Sequence, residues 1–171
     1  MSSSPIRTER LSLRAPDDTD IEFLIELLNE PAFIRFIADR GVRTREQASA
    51  YLHGHLLPHF HAHGFGAYVA VRSSDGERLG LCTLIRRDSL PDADIGFAFL
   101  SRATGQGYAF EGTRALLDHA RRALGITRVV AIANQDNERS IRLLAQLGLT
   151  DQGLVILDGE TEPLRLFATD S

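Results

Sequence analysis

The sequence contains no lysine, since all 19 basic residues among its 171 positions are arginine. This absence excludes the phosphate-binding lysine of a P-loop and a lysine that forms a Schiff base. Cys82 is the only cysteine, so no internal disulfide can form, which fits a reducing compartment. No apolar run approaches the roughly 18–20 residues of a membrane span, and the first ten residues lack the apolar core of a signal peptide. We therefore expect a cytoplasmic protein without a membrane partner.

The composition also lacks an excess of positive charge. The net charge is −4 and the pI is near 5.8, which argues against a broad nucleic-acid-binding surface. Hydrophobic residues make up 43% and charged residues 25% of the chain, as in ordinary globular proteins. Together with the length, these values predict a single domain over residues 1–171. We expect disorder only at the two ends, Met1–Pro5 and Ala168–Ser171.

The periodicity of the apolar residues predicts the order β-α-α-β-β-β-α-β-α-β-β. This order is typical of a mixed α/β or α+β fold, in which helices cover a twisted sheet. One helix, capped by Thr44, is expected to stop near Pro58. The predicted strands cover residues 9–14, 65–72, 78–87, 94–100, 128–133, 149–157 and 163–168, and the helices lie between Pro16 and Pro31, at 44–57, at 107–124 and after Asn137.

The segment between the third central strand and the long helix has the features of an anion-binding turn. Gly105 and Gly107 lack a Cβ atom, so the backbone can turn tightly and approach a ligand. The first N–H groups of the following helix have no helical partner and carry the positive end of the dipole. This arrangement predicts a cradle for a phosphate or pyrophosphate. A dinucleotide fingerprint is excluded because Phe110 stands where it needs glycine, and a P-loop is excluded because Gly-Lys is absent.

With Arg102, the turn reads Arg-x-x-Gly-x-Gly between a strand and a helix, which resembles the signature of the GNAT superfamily of N-acetyltransferases. Other segments resemble, in order and spacing, the RimJ/RimL branch that acetylates ribosomal protein N-termini. These segments are Thr8–Arg14, Ala93–Phe97, Gly107–Glu111 and Asn134–Ser140 followed by Leu147–Leu149. The family usually has Glu at the position of Asp94 and Phe at that of Leu149. The resemblance implies a mostly antiparallel sheet of about six to seven strands, flanked by about four helices.

The resemblance also implies acetyl-CoA as the cosubstrate, with its pyrophosphate at the glycine turn and no metal ion. Asn134 is implied to contact the pantetheine arm, although a plain turn residue is the alternative. Asn137 is expected to cap its helix and to contact coenzyme A as well. The cofactor-binding residues implied in this way are Phe99, Leu100, Arg102, Gly105, Gln106, Gly107, Tyr108, Ala109, Asn134 and Asn137. Tyr108 is also expected to pack, and Glu111 behind the turn is expected to be structural.

Two residues are candidates for the chemistry of acetyl transfer to an amine. Asp94 is the candidate base, although its ordinary pKa of about 3.9 requires either burial or a relaying water. The alternative for Asp94 is a solvated strand carboxylate. Ser140 lies where the related branch places a hydroxyl near the coenzyme sulfur, and it is the candidate donor to the leaving thiol. The alternative for Ser140 is a serine of the first helical turn that satisfies backbone groups.

Five of the six histidines lie between His53 and His63, with i,i+4 spacings that could hold a metal. Pro58 interrupts the predicted helix there, and no carboxylate or cysteine joins the cluster, so a solvated surface is the favoured interpretation. One histidine at the mouth of the acceptor site is a second interpretation. Cys82 lies in an apolar strand and is expected to be a core residue rather than a nucleophile.

These observations predict an N-acetyltransferase that moves acetyl from acetyl-CoA to a primary amine by direct attack in a ternary complex. The branch resemblance favours a protein N-terminal amine as the acceptor. A small amine, such as a polyamine, an aminoglycoside or an amino acid, is the alternative acceptor. A catalytically silent acyl-CoA-binding module is a further alternative, because it needs Arg102, Gly105 and Gly107 but neither Asp94 nor Ser140. The chain is expected to be a monomer or a homodimer.

Overall fold

The computed structural model describes residues 4–170, so Met1–Ser3 and Ser171 of the predicted disordered ends lie outside the described residues. The strands in this range are β1 Ile6–Arg7, β2 Leu11–Arg14, β3 Ala67–Arg72, β4 Arg78–Ile85, β5 Ala93–Phe99, β6 Val129–Ala133, β7 Thr150–Val155 and β8 Leu164–Ala168. The α-helices are α1 Ile21–Leu28, α2 Pro31–Phe36, α3 Arg45–Tyr51, α4 Leu57–His63, α5 Tyr108–Ala123 and α6 Glu138–Gln146. Ala168 was predicted to be disordered, but it ends β8 and is buried.

All eight strands of the described chain join one sheet in the order β1-β2-β3-β4-β5-β6-β8-β7. The neighbours pair antiparallel except for β5 and β6, which are parallel. The long helix α5 makes the crossover that a parallel pair requires. The predicted mixed, mostly antiparallel fold is therefore confirmed, with one strand more than expected.

The sheet separates two layers of helices because neighbouring residues of a strand point to opposite faces. Leu81 of β4 packs in a buried cluster with residues of α1, α2 and α3, such as Leu24 and Leu27. The next residue, Cys82, packs in a second cluster with Leu116 of α5 and with Leu144 of α6. The fold is thus an α/β/α sandwich in which each helical layer buries its own apolar face.

Local prediction failed at three places. The short edge strand β1 and the six-residue α2, which begins with Pro31, were not expected. Pro58 does not stop the helix capped by Thr44, because residues Leu52–Leu56 form a π-helical turn in front of it. The N–H of Leu57 donates to the carbonyl five residues back, at Leu52. This wider turn accommodates a proline that lacks an N–H and crowds the preceding turn.

The feature that positions the site is a gap between β5 and β6. The two strands pair only at Ala93–Val129 and Asp94–Val130. From Ile95 onward β5 pairs with β4 alone, while β6 pairs with β8. The two parallel strands therefore separate towards their carboxyl ends and leave a cleft in the middle of the sheet.

Candidate active site

The glycine turn lies at the carboxyl end of β5, beside the cleft. Gly105 and Gly107 have φ angles of 78° and 85°, in the left-handed region that favours glycine. Gly107 is also the N-cap of the 16-residue helix α5. Within residues 4–170, none of the six backbone N–H groups from Gly105 to Phe110 donates a hydrogen bond to another protein group. Six free donors at the positive end of a long helix are suited to a pyrophosphate.

Arg10 adds a cation to this turn and was missed by the sequence analysis. Its Nη1 donates to the carbonyl of Gln106 (3.0 Å), and its guanidinium lies 4.3 Å above the ring centroid of Tyr108. A Cβ atom on Gly107 would lie 3.3 Å from Arg10 Nη2. The segment Thr8–Arg14 was recognised as a family motif, but nothing local in it indicated a contact with residues about 96 positions later.

Glu111 holds Arg10 in place, as its predicted structural role requires. Its carboxylate accepts hydrogen bonds from the Thr8 hydroxyl (2.5 Å), the Arg10 backbone N–H (2.9 Å) and Arg10 Nε (2.7 Å). Burial alone would raise the pKa of Glu111, but these hydrogen bonds outweigh it and hold the pKa below its ordinary value. Glu111 is therefore the ionised anchor that fixes the N-terminal segment to α5.

The other predicted residues of the turn differ in what they present to a ligand. Leu100 is completely buried, and its N–H donates to Leu79. Tyr108 is buried beneath Arg10, and the Gln106 side chain donates to the carbonyl of Arg102. Ala109 and Phe99 are partly buried. Backbone groups, rather than side chains, are thus the main donors that this turn offers.

Arg102 does not face the turn. Its Nε donates to Glu77 (3.0 Å), and its terminal nitrogens donate to Glu26 of α1. The hydrogen bonds to Glu26 and then to Glu77 raise the pKa of Arg102. The signature arginine is therefore paired with two carboxylates.

Asp94 lies where β5 and β6 separate, and only 4% of its surface is exposed. Burial raises its pKa from an ordinary 3.8 to about 6, although the charge and the hydrogen bond of Arg87 oppose the shift. Arg87 Nε donates to Asp94 Oδ2 at 2.5 Å. Ala93 and Ile95 on either side of Asp94 pack in the α5 cluster, so Asp94 faces the opposite layer of helices. The alternative of a solvated carboxylate is wrong.

The loop after β6 lies at the same edge of the sheet as the glycine turn, because the carboxyl ends of parallel strands lie at one edge. Asn134 Oδ1 accepts from the N–H of Asp136 (2.9 Å), as in an Asx turn. Asn137 Oδ1 accepts from the N–H of Ser140 (3.3 Å), which confirms the predicted helix cap. Within the described chain the Ser140 hydroxyl makes no hydrogen bond to protein, and none joins Ser140 to Asp94.

The histidine segment is not assembled around a common centre. His59 Nδ1 donates to the carbonyl of Phe65 (3.0 Å), and its Nε2 accepts from the N–H of Arg86 (3.0 Å). His53 contacts Asp18 instead. Burial lowers the pKa of His59, which fits a neutral ring with both nitrogens occupied. Over residues 4–170, no group of three or more His, Cys, Asp or Glu side chains is arranged to hold a metal ion.

Cys82 has the core position that was predicted. It is completely buried, and the Thr113 hydroxyl lies 3.9 Å from its Sγ. Burial raises the pKa of the Cys82 thiol to about 12. A thiol in this environment stays protonated at neutral pH and is not a nucleophile.

Comparison with known proteins identifies the family. Residues 10–150 match the family model described as an acetyltransferase (GNAT) domain. The chain belongs to the GNAT acetyltransferase family. This acetyltransferase is 27% identical to the Bacillus subtilis protein YkkB over 145 residues, which is 83% of each chain.

Two solved structures share the fold of this acetyltransferase. An acetyltransferase from Agrobacterium tumefaciens superposes with a TM-score of 0.82 at 23% identity, covering 100% of this chain and 96% of that one. RimL, a ribosomal α-N-protein acetyltransferase solved in complex with coenzyme A, superposes with a TM-score of 0.81 at 22% identity, covering 96% and 97%. The predicted family and its N-acetyltransferase activity are thus confirmed. In the part of the chain that is described, no helix is both long and apolar enough to cross a membrane.

Proposed function

We propose that this acetyltransferase transfers the acetyl group of acetyl-CoA to a protein N-terminal amine. The observation that carries the proposal is the row of six free N–H groups from Gly105 to Phe110, next to the cleft between β5 and β6. This row can donate hydrogen bonds to the pyrophosphate of coenzyme A. The cleft can hold the extended pantetheine arm between two strands whose backbone N–H and C=O groups are not paired with each other there. Bound acetyl-CoA supplies the thioester whose carbonyl carbon the amine attacks.

We further propose that the two loops at the carboxyl edge of the sheet hold the cosubstrate between them. The backbone from Gly105 to Ala109 binds the phosphates, and Arg10 supplies a neighbouring cation. Asn134 and Asn137 contact the arm from the β6 side, where their backbone and side chains form the Asx turn and the cap. Phe99 and Leu100 contribute backbone and packing where β5 ends.

Asp94 is the proposed proton acceptor. A carboxyl group with a pKa of about 6 accepts a proton more readily than an ordinary aspartate, because base efficiency improves as the pKa approaches the working pH. Its shorter side chain, in place of the glutamate usual in the family, is compatible with one relaying water. Ser140 is the proposed donor to the leaving sulfur, because its hydroxyl is not used by another protein group in the described chain.

A direct attack of the amine on the thioester fits these residues. The buried Cys82, whose pKa is about 12, is not available to carry an acetyl group, and the chain has no lysine. Holding both reactants in one site supplies several kcal/mol without a covalent intermediate. We therefore expect sequential kinetics.

The N-terminal acceptor is supported by the shared fold of RimL and by the family motifs in the sequence. Thiol release from acetyl-CoA tests it with three kinds of acceptor: a peptide with a free N-terminus, the same peptide with a blocked N-terminus and an internal lysine, and small amines such as spermidine. Release with the free N-terminus alone supports the proposal. Release with spermidine alone assigns a small-amine acceptor, and binding of acetyl-CoA without any release assigns a silent binding module.

A further inference from the structure

The short 3₁₀ turn Ser101–Ala103, which starts the glycine loop, is held from outside by carboxylates. Glu30 Oε1 accepts the backbone N–H of Ser101 (3.0 Å), and Oε2 of the same carboxylate accepts the Ser101 hydroxyl (2.7 Å). Both oxygens of one ionised side chain are thus engaged by one residue. Hydrogen bonds of this charge-assisted kind are stronger than neutral ones.

The next residue of the turn is held in the same way. Arg102 donates to Glu26 through both terminal nitrogens and to Glu77 through Nε. Glu77 in turn accepts a hydrogen bond from Arg72 (3.0 Å). The Arg102 guanidinium is therefore engaged by two carboxylates and is not free for a phosphate. The free donors of the loop begin only after this turn, at Gly105.

Glu26 and Glu30 connect the loop to the other layer of the molecule. They lie near the end of α1 and at its junction with α2, and they contact two adjacent residues of the 3₁₀ turn, Arg102 and Ser101. The helix α1 belongs to the layer that Asp94 faces. The glycine loop is thereby tied to the layer of helices that the Asp94 side chain faces.

We propose that Glu26, Glu30 and Glu77 form a carboxylate clasp and that Ser101 and Arg102 are positioning residues rather than phosphate ligands. Glycine loses more conformational freedom on ordering than any other residue, so a loop with Gly105 and Gly107 needs an anchor. The clasp supplies it and pre-orients the N–H groups for the pyrophosphate, which lowers the ordering cost of binding. This inference rests on the proposed function of the loop as the coenzyme A site.

The two possible roles of Arg102 predict opposite changes in the affinity for coenzyme A when Glu26 is replaced by Gln. If Arg102 binds phosphate, Glu26 competes for it, and Glu26→Gln makes coenzyme A bind more tightly. If Arg102 positions the loop, Glu26→Gln releases one side of the turn and weakens binding. Both side chains are about half exposed, so we expect a weakening of about two- to fivefold, the range of an exposed ion pair. Glu30→Ala removes two hydrogen bonds to a charged group and is expected to weaken binding by about tenfold or more.

Calorimetry with coenzyme A on the full chain measures these effects, with Glu22→Gln as the matched control. Glu22 lies one turn earlier on α1 and pairs with Arg45 rather than with a residue of the 3₁₀ turn, so Glu22→Gln is expected to leave the affinity unchanged. The double variant Glu26→Gln with Arg102→Gln is expected to bind no more weakly than Arg102→Gln alone. Tighter or unchanged binding by Glu26→Gln overturns the proposal.

A second measurement separates the clasp from the proposed function. Hydrogen exchange of the Ala103 and Thr104 amides, which donate to the carbonyls of Leu100 and Ser101 within the turn, is expected to be faster in ligand-free Glu26→Gln and Glu30→Ala than in the wild type and in Glu22→Gln. A wild-type protein that binds no coenzyme A contradicts the proposed function, and the exchange rates still decide the clasp. Equal exchange in all four proteins overturns the clasp.

Discussion

Replacing Asp94 with asparagine is expected to make the protein more stable at neutral pH while making it a poorer enzyme. Burial raises the pKa of Asp94 from 3.8 to about 6. The folded protein therefore binds a proton at this position between about pH 4 and pH 6, whereas the unfolded chain has already released it. Because the unfolded state binds fewer protons in this window, stability falls as the pH rises through it. Above about pH 6 Asp94 is ionised in both states, and the fold is then destabilised by the whole free energy that corresponds to the difference between the two pKa values.

The size of the effect follows from the two pKa values. At about 1.4 kcal/mol for each pH unit, the interval from 3.8 to about 6 corresponds to about 3 kcal/mol. The value already includes the favourable contact with Arg87. Asparagine is neutral at every pH, so the free energy of unfolding of Asp94→Asn is expected to exceed that of the wild type by up to about 3 kcal/mol at pH 7 and by little at pH 4.

Urea denaturation of both proteins at pH 4, 5, 6 and 7 measures this difference. Other carboxyl groups, such as Asp20 and Glu111, also change stability with pH, but they are common to both proteins and cancel in the comparison. Arg87→Gln is the complementary variant: it removes the charge that opposes the shift, so the pKa of Asp94 is expected to rise above 6. A difference between the wild type and Asp94→Asn that is the same at every pH would refute the inference that Asp94 is buried with a raised pKa.

Five further outcomes are expected. The turnover rate of the wild type is expected to rise with pH around pH 6 and to be lower and less pH-dependent in Asp94→Asn, whereas a full rate at all pH values would remove Asp94 from the mechanism. Gly107→Val places a β-branched residue at a φ of 85° and a Cβ in the ligand path, so calorimetry should show weaker coenzyme A binding than in Gly125→Val, whose glycine has a φ of 68° just beyond the opposite end of α5. Ser140→Ala is expected to lower the turnover rate by about 10–100-fold, the size of one proton-transfer contact, while coenzyme A affinity is retained; an unchanged rate would speak against its role. Activity is expected to survive EDTA, and a loss of activity that zinc restores would contradict this. Mass spectrometry is expected to find no acetylated Cys82 during turnover, and a turnover-competent acetyl-cysteine would contradict the direct attack.

Much of the fold could be read from local patterns. The caps at Thr44 and Asn137, the glycine turn and the strand alternations depend on neighbouring residues, so they were correctly predicted. The failures were also physical. Strand β1 has two residues, too few for a periodic pattern, and its pairing with Ile6 opposite Leu13 comes from β2. Pro58 is tolerated because the π-helical turn before it changes the hydrogen-bond spacing, which no local propensity encodes.

In the candidate site, too, the sequence indicated the residues, whereas the fold set their properties. Asp94 and Ser140 could be named from motif positions, but the environment that gives each its properties could not. The pKa of Asp94 depends on the packing of β5 between its neighbours and on the contact with Arg87. Burial and charge act through distance in space, and only the folded chain defines that distance.

The sequence by itself determined the family, most of the order of the elements and the place of the glycine turn, because these are carried by residues close together in the chain. Only the tertiary structure decided which carboxylate or backbone group each of the 19 arginines contacts. Arg102 stands three positions before Gly105 and yet pairs with Glu26 and Glu77, whereas Arg10, far away in sequence, lies beside Gly107. The side chains are chemically identical, so their roles follow from the carboxylates that the fold brings within hydrogen-bond distance of each one.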